Sequence, residues 1–280
     1  MTKEPHSDLQ RVLAARYSDA PGLDATLPDT DVLQSMAARG SCRAFLDKPV
    51  PPAWVDMLCA VALASPTKSD LQQRDIVLLR APEVRQGLVD LVSGQAWVAD
   101  APMIAVFCGN NRRQRMLHKW HDVPFANDHL DAFFNATGDA AIALGAFVTA
   151  AEALGLGCCP ISAVRNEAAA VSELLNLPDH VFPFAGLAFG LPAQAPEISK
   201  RLPLRTTCHI DRFQDDRVQE EVETYDAGRA ATQPYSTQRF PEVFGQSDAY
   251  AWSEDKVRQY SQPERDNFGA HIRSRGFNLD

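Results

Sequence analysis

Apolar positions along the chain fall into two patterns. Residues 76–79, 103–108, 158–162 and 184–189 are continuous apolar runs of strand length. Runs of that length between turn residues read as buried strands. Residues 206–210 offer a weaker fifth, so a sheet of 4–5 strands is expected. Elsewhere apolar residues recur near helical spacing, which predicts helices over 9–17, 84–92 and 167–175. Asp29-Thr30-Asp31 supplies an N-cap for a helix through Val32 and Met36 that stops near Gly40. Pro51-Pro52 opens another, with Val55, Leu58, Cys59 and Ala62 on one side, that ends before Pro66.

Residues 139–154 are apolar on almost every face, the mark of a core or interface helix. Asp139 and Glu152 bracket a run shorter than the ~20 residues a membrane span needs. Residues 109–130 read as a loop insertion near a site. Beyond 212 the chain turns polar, with a charged helix over 215–225, an irregular Gln/Ser/Pro-rich stretch over 228–247 and helices over 253–260 and 263–275. Strands and helices mix without strict alternation, so the fold class is α+β rather than a doubly wound sheet. No G-x-G-x-x-G follows a strand, which leaves a Rossmann site unsupported.

Composition narrows the function. The 280 residues are 45% hydrophobic and 22% charged, enough for a sizeable core, and the formal net charge is −9. No basic run offers a surface for nucleic acid or an acidic membrane. Local arginine clusters therefore call for a local anion. The six cysteines show no C-x-x-C spacing and no partner histidines, so they read as reduced thiols, and no metal site is expected. The polar start after Met1 has no signal-peptide core, and a cytoplasmic protein is expected.

Arg39-Gly40-Ser41-Cys42-Arg43-Ala44-Phe45 carries the most chemistry. In an extended segment Arg39, Ser41 and Arg43 point the same way, and guanidinium forks match phosphate oxygens. Two readings stand for the string alone: a phosphate cradle or a solvated arginine pair. Neither a Ser-His-Asp nor a Cys-His set can be ordered elsewhere, as expected where a cofactor carries the chemistry.

The segment resembles the R-x-S-x-R-x-F phosphate loop of the FMN-dependent nitroreductase family. Three further stretches match that family in order. Residues 65–72, Ser-Pro-Thr-Lys-Ser-Asp-Leu-Gln, are similar to its A-P-S/T-x-x-N-x-Q loop. Residues 154–166 are similar to its L-G-L-G…L-R-N element. Residues 186–203 are similar to its G-L-x-x-G-x-P…K-x-R-x-P tail. The L-R-N element and the long tail favour the nitroreductase A branch, and the likeness covers roughly residues 29–280.

The resemblance implies FMN held at its phosphate by Arg39, Gly40, Ser41, Arg43 and Arg201, with Lys200 displaced by one position from the family's lysine. It implies that Pro66, Thr67, Lys68 and Asp70 reach a flavin across a homodimer, with Asp70 where the family often has Asn. Gln95, after Ser93-Gly94, matches a glutamine that contacts the ring. Pro160, Ile161, Ser162 and Ala163 occupy the place of backbone donors facing flavin N5, with Ser-Ala for the usual Gly-Gly. Arg165 and Asn166 keep the branch's pair, Arg165 being either a site residue or a structural ion-pair residue.

The implied layout is an N-terminal helix and loop (1–28), an FMN-binding core (29–211) on a central, mainly antiparallel sheet flanked by helices, and an extension (212–280) wrapping the dimer. The implied activity is two-electron ping-pong hydride transfer from NADPH or NADH, through FMN, to a nitroaromatic or quinone acceptor. Residues 246–252 lack the basic side chains that the branch directs at the NADPH 2′-phosphate; Arg239, Lys256 and Arg258 lie near. A flavin carrier without turnover is the alternative, as is a specialised reaction such as reductive dehalogenation or flavin breakdown on the same scaffold.

Overall fold

The computed structural model describes residues 7–20, 28–92 and 94–280. They divide into two compact units: Met1–Gly40 with Glu197–Glu264, and Ser41–Pro196 with Arg265–Asp280.

The larger unit is built on a four-stranded sheet in the order β1-β2-β4-β3, from β1 (Arg74–Leu78), β2 (Met103–Asn110), β3 (Gly157–Ile161) and β4 (Val181–Gly190). All three pairings are antiparallel, with one register shift in β2 between Phe107 and Cys108. Both faces of the sheet are covered, which is why its strands read as unbroken apolar runs. On one face Ala105 and Phe107 of β2 pack with Leu58 and Ala62 and with Ala143, Phe147 and Ala151. On the other, Ile104, Val106 and Cys108 pack with Leu88, Val164 and Val171. The period-two alternation of β2 thus divides two cores.

In chain order the helices are α1 (Asp8–Arg16), α2 (Asp31–Ala38), α3 (Pro52–Leu63), α4 (Pro82–Leu91), α5 (Arg112–Trp120) and α6 (Leu130–Ala153). Then follow α7 (Ala168–Leu174), α8 (Leu204–Thr207), α9 (Val218–Ala230), α10 (Pro241–Phe244), α11 (Trp252–Tyr260) and α12 (Phe268–Ser274). α3 and α6 cover the first sheet face, α4 and α7 the second. In the smaller unit α1 starts with a capping box between Ser7 and Gln10, and Thr30 caps α2.

Three expectations are corrected. Residues 109–130 are not one loop: β2 runs to Asn110 and α5 occupies Arg112–Trp120. It buries no residue, so the apolar period gave no sign of it, although Arg, Gln, Met, Leu and Lys favour a helix. α6 has 24 residues and begins at Leu130, nine positions early, through a stretch that Asn135, Thr137 and Gly138 make look unhelical. Its length and a mean hydropathy of 1.2 would suit a membrane span, so length does not decide the matter. Its Ala143, Phe147 and Ala151 are nonetheless in the sheet core. Residues 206–210 are not a strand. Asp19 accepts from the amides of Leu204 and Arg205 at 2.8 and 3.2 Å and stabilises the helical turn α8 instead.

Candidate functional site

The Arg39–Phe45 segment begins where α2 stops. Arg39 is its C-cap, with φ −56° and ψ 144°, and from there the chain runs extended. Ser41 forms a parallel bridge to Cys158 of β3, and the Cys42 amide donates to the Cys158 carbonyl at 3.0 Å. Cys42 is buried, whereas Ser41 and Arg43 on either side of it are exposed. The expected alternation is therefore present from Ser41 to Arg43. Phe45 bridges Pro192, which fixes the far end.

Two motif glycines make this possible. Gly155, at φ +77°, turns the chain after α6. A Cβ on Gly157 would lie 2.5 Å from Cys42 Sγ and 2.6 Å from Cys42 Cβ. Only glycine lets the 41–43 segment lie against β3. The thiol of Cys42 is raised above its ordinary value by burial, which keeps it a neutral packing group.

Arg39, Gly40, Lys200 and Arg201 belong to the smaller unit. Arg16, at the end of α1 and 5% exposed, donates to three carbonyls: Ala37 at 2.8 Å, Arg39 at 2.5 Å and Ser199 at 3.1 Å. The Arg201 amide donates back to the Arg16 carbonyl at 2.8 Å. Segments 37–39 and 199–201 are thus held side by side. The Lys200 ammonium donates to the Gly228 carbonyl near the end of α9 at 3.0 Å, while exposed Arg201 bonds Ser199 Oγ at 2.6 Å. Both line a cavity of about 430 Å³ with Arg229, Lys256, Tyr235 and Trp252. Arg229 stacks over Tyr235 at 5.2 Å, and its buried Nε has no hydrogen-bond partner among the described residues. A concavity with four cationic side chains in a chain of net charge −9 fits a phosphate-bearing ligand.

The loop from Pro66 to Asp70 is pinned from below. Asp139 of α6, 1% exposed, accepts from the amides of Lys68 at 2.9 Å and Gln73 at 2.8 Å. Above that anchor Pro66, Lys68 and Asp70 are exposed and Thr67 is half-buried. Ser69, Asp70 and Gln72 sit at φ 48°, 56° and 52°, and the Asp70 carboxylate accepts from Gln72 Nε2 at 3.1 Å. The backbone is left-handed at all three, a region that Asp tolerates better than most residues.

Gln95 is half-buried and precedes a short turn, Ala96–Val98, after Gly94 at φ +87°; Ser93 lies outside the described residues. Trp97 of that turn lies 5.9 Å from the Arg43 guanidinium. Pro160 and Ser162 are exposed where β3 ends, while Ile161 and Ala163 are buried, so their backbone rather than their side chains is on offer. Arg165 turns to β4, donates to the Phe184 carbonyl and lies over Phe184 and Phe268 at 5.9 and 6.0 Å.

Several residues in these arrangements escaped the sequence reading. Asp139 had a signal, since a lone carboxylate inside an apolar helix must find partners. Arg265, at φ 58°, donates to Asn166 Oδ1 at 2.9 Å and Ser162 Oγ at 3.2 Å. Neither Arg265 nor Arg16 stands out in the sequence, because Arg265 bonds residues about a hundred positions away and Arg16 bonds carbonyls 21, 23 and 183 positions away.

An antiparallel sheet covered by helices on both faces defines an α+β protein. The chain belongs to the nitroreductase family. It matches that family over residues 36–191 and the family's C-terminal domain over residues 199–280. It is 32% identical over 199 residues to the FMN reductase [NAD(P)H] of Bacillus subtilis, covering 70% of this chain and 80% of that protein. It is 34% identical over 182 residues to the oxygen-insensitive NADPH nitroreductase of Salmonella typhimurium, covering 65% and 74%. The solved structure of B. megaterium NfrA2 superposes with a TM-score of 0.81 at 27% identity, covering 90% of this chain and all of that one. The NADPH:FMN oxidoreductase from Vibrio harveyi complexed with NAD+ gives 0.77 at 26%, covering 88% and 98%.

Proposed function

We propose that the protein is an FMN-dependent oxidoreductase that takes reducing equivalents from NADPH or NADH and delivers two electrons to a nitroaromatic, quinone or related acceptor. One observation carries the reading: Ser41 and Arg43 stand exposed on one side of an extended segment bonded to β3, with Cys42 buried between them. In a member of this family, that arrangement suits a phosphate monoester better than a solvated arginine pair.

FMN, when bound, would supply the hydride chemistry; the protein supplies binding, orientation and electrostatics. Arg39, Gly40, Ser41, Arg43 and Arg201 are assigned to the phosphate. Pro66, Thr67, Lys68 and Asp70, on the loop anchored by Asp139, are assigned to a flavin across a homodimer. Gln95 and the backbone at Pro160, Ile161, Ser162 and Ala163 are assigned to the ring, where N–H donors would offset negative charge gained on reduction. Lys200 holds Gly228 and lines the cavity, so it contributes field rather than a direct contact.

The cavity supports NADPH as reductant. Arg229 supplies a cation for a further phosphate, with Lys256, itself paired with Asp255 at 2.7 Å, beside it, and Tyr235 and Trp252 supply rings for a base. Of the other basic residues nearby, buried Arg258 bonds Glu254 and two carbonyls, and Arg239 pairs with Asp255. A homodimer is supported by α6, where Phe134 and Ile142 are 68% and 44% exposed on a side that also carries Gly138, Ala141 and Gly145. The core 29–211 and the wrapping extension 212–280 belong to the same proposal.

Initial rates with NADPH and menadione varied together test the reading. Parallel double-reciprocal lines from yellow protein are expected. Colourless protein with no activity after FMN addition would overturn it. A yellow protein without turnover would favour the carrier.

A further inference from the structure

The family match begins at residue 36, so α1 lies outside it. The Arg16 guanidinium at the end of that helix nevertheless reaches three carbonyls in two segments separated by about 160 positions. Two of the three, Ala37 and Arg39, are carbonyls at the C-terminal end of α2, where no intrahelical partner exists. Occupying them ends the helix and leaves Arg39 outside it at ψ 144°. The third, Ser199, precedes Lys200 and Arg201, and the Arg201 amide closes the ring on the Arg16 carbonyl at 2.8 Å.

We propose that Arg16 is a positioning residue for the cofactor phosphate: buried at the end of α1, it fixes the spacing between Arg39 and Arg201 through their backbones. The proposal rests on the FMN reading above and assigns the N-terminal helix a part in it. The planar fork is what the task needs, because its donors diverge in fixed directions towards three acceptors. A lysine carries its three donors on one nitrogen and cannot span the same carbonyls. Arg16 does not contact the phosphate in this scheme. Its loss lets Arg39 and Arg201 separate without removing either charge.

The test compares FMN with riboflavin, which differ only by the phosphate. Flavin-stripped full-length protein is titrated with each, following flavin fluorescence, for the parent, Arg16→Met and Arg16→Lys, with thermal melting alongside. Parent protein is expected to prefer FMN. In both variants the ratio of the riboflavin Kd to the FMN Kd is expected to fall, by about tenfold in Arg16→Met, the loss of one charge-assisted contact. Riboflavin affinity should change little. Arg16→Lys retains the stem and the charge, so it reads the same ratio if Arg16→Met fails to fold. Equal weakening of both ligands would make Arg16 a folding residue only and overturn the proposal, as would an unchanged ratio in the variants. A parent that does not distinguish the two ligands would overturn the phosphate reading itself, and this proposal with it.

Discussion

At the scale of single residues, the account depends on charges aimed at one phosphate. A charge-assisted hydrogen bond contributes about 1.5–3 kcal/mol, so Arg39→Ala should weaken FMN roughly ten- to hundredfold while leaving riboflavin nearly unchanged. Isothermal titration of the stripped protein reads both. Asp70 offers a cleaner electrostatic experiment. Its φ of 56° is one that Asn adopts equally well, so Asp70→Asn removes the charge with little change in backbone cost. If the loop lies near a flavin, removing that carboxylate eases the gain of negative charge on reduction. The two-electron potential should then rise by tens of millivolts in a dye-equilibration titration. Agreement of parent and variant would place Asp70 away from the ring. Part of the local geometry was legible beforehand: Cys42 is buried between exposed Ser41 and Arg43, as an alternating extended segment implies. The contacts of Arg16, to backbone carbonyls, and of Arg265, to the Asn166 and Ser162 side chains, were not, because neither follows a local spacing pattern.

At the scale of elements, the 66–73 loop depends on a single carboxylate. Asp139 accepts from two amides at once, and Asn in its place can accept from only one face while directing an NH₂ at the other. Asp139→Asn should cost about 1.5–3 kcal/mol and speed hydrogen exchange at the Lys68 and Gln73 amides before the rest of the sheet. In the smaller unit the carboxylates are arranged for acid sensitivity. Burial pushes Asp255 up, but the bonds from Lys256 and Tyr250 and the charges of Lys256 and Arg239 outweigh it and hold it below the ordinary value. Glu221 is lowered first by the Thr206 hydroxyl and then by Arg205. A carboxyl depressed on folding contributes its full stability above its unfolded value, near 4, and loses it as pH falls through the folded one. The gap in urea midpoint between parent and Asp255→Asn should therefore be constant above about pH 5 and close below it. A gap independent of pH would contradict the assignment. Element prediction succeeded where an apolar face meets a core, as in α3, α4 and the four strands. It failed at α5, which has no buried face, and at the first two turns of α6, whose small and polar residues mask a helix that the core requires.

At the scale of the whole molecule, the exposed side of α6 predicts a dimer. Phe134 and Ile142 are too large an apolar pair to leave in water beside Gly138 and Gly145, where a partner helix can approach closely. Ile142→Glu should yield monomeric, flavin-poor protein by light scattering, whereas half-buried Ala146 is a weaker place for the same charge. A stable holo-monomer of the parent at micromolar concentration would remove the cross-dimer role of Pro66 to Asp70. The overall α+β class followed from strands and helices that do not alternate strictly, whereas the division into two units did not. One unit joins residues 1–40 to 197–264, and no composition shift at residue 40 announces it. The central claim is that nicotinamide nucleotides reduce a flavin held by this chain. Mixing the yellow protein with NADPH, and separately NADH, in the absence of oxygen tests it most directly. Loss of the flavin absorbance band near 450 nm, faster with NADPH, and its return on adding menadione are predicted; a bound flavin that neither nucleotide bleaches would contradict the account.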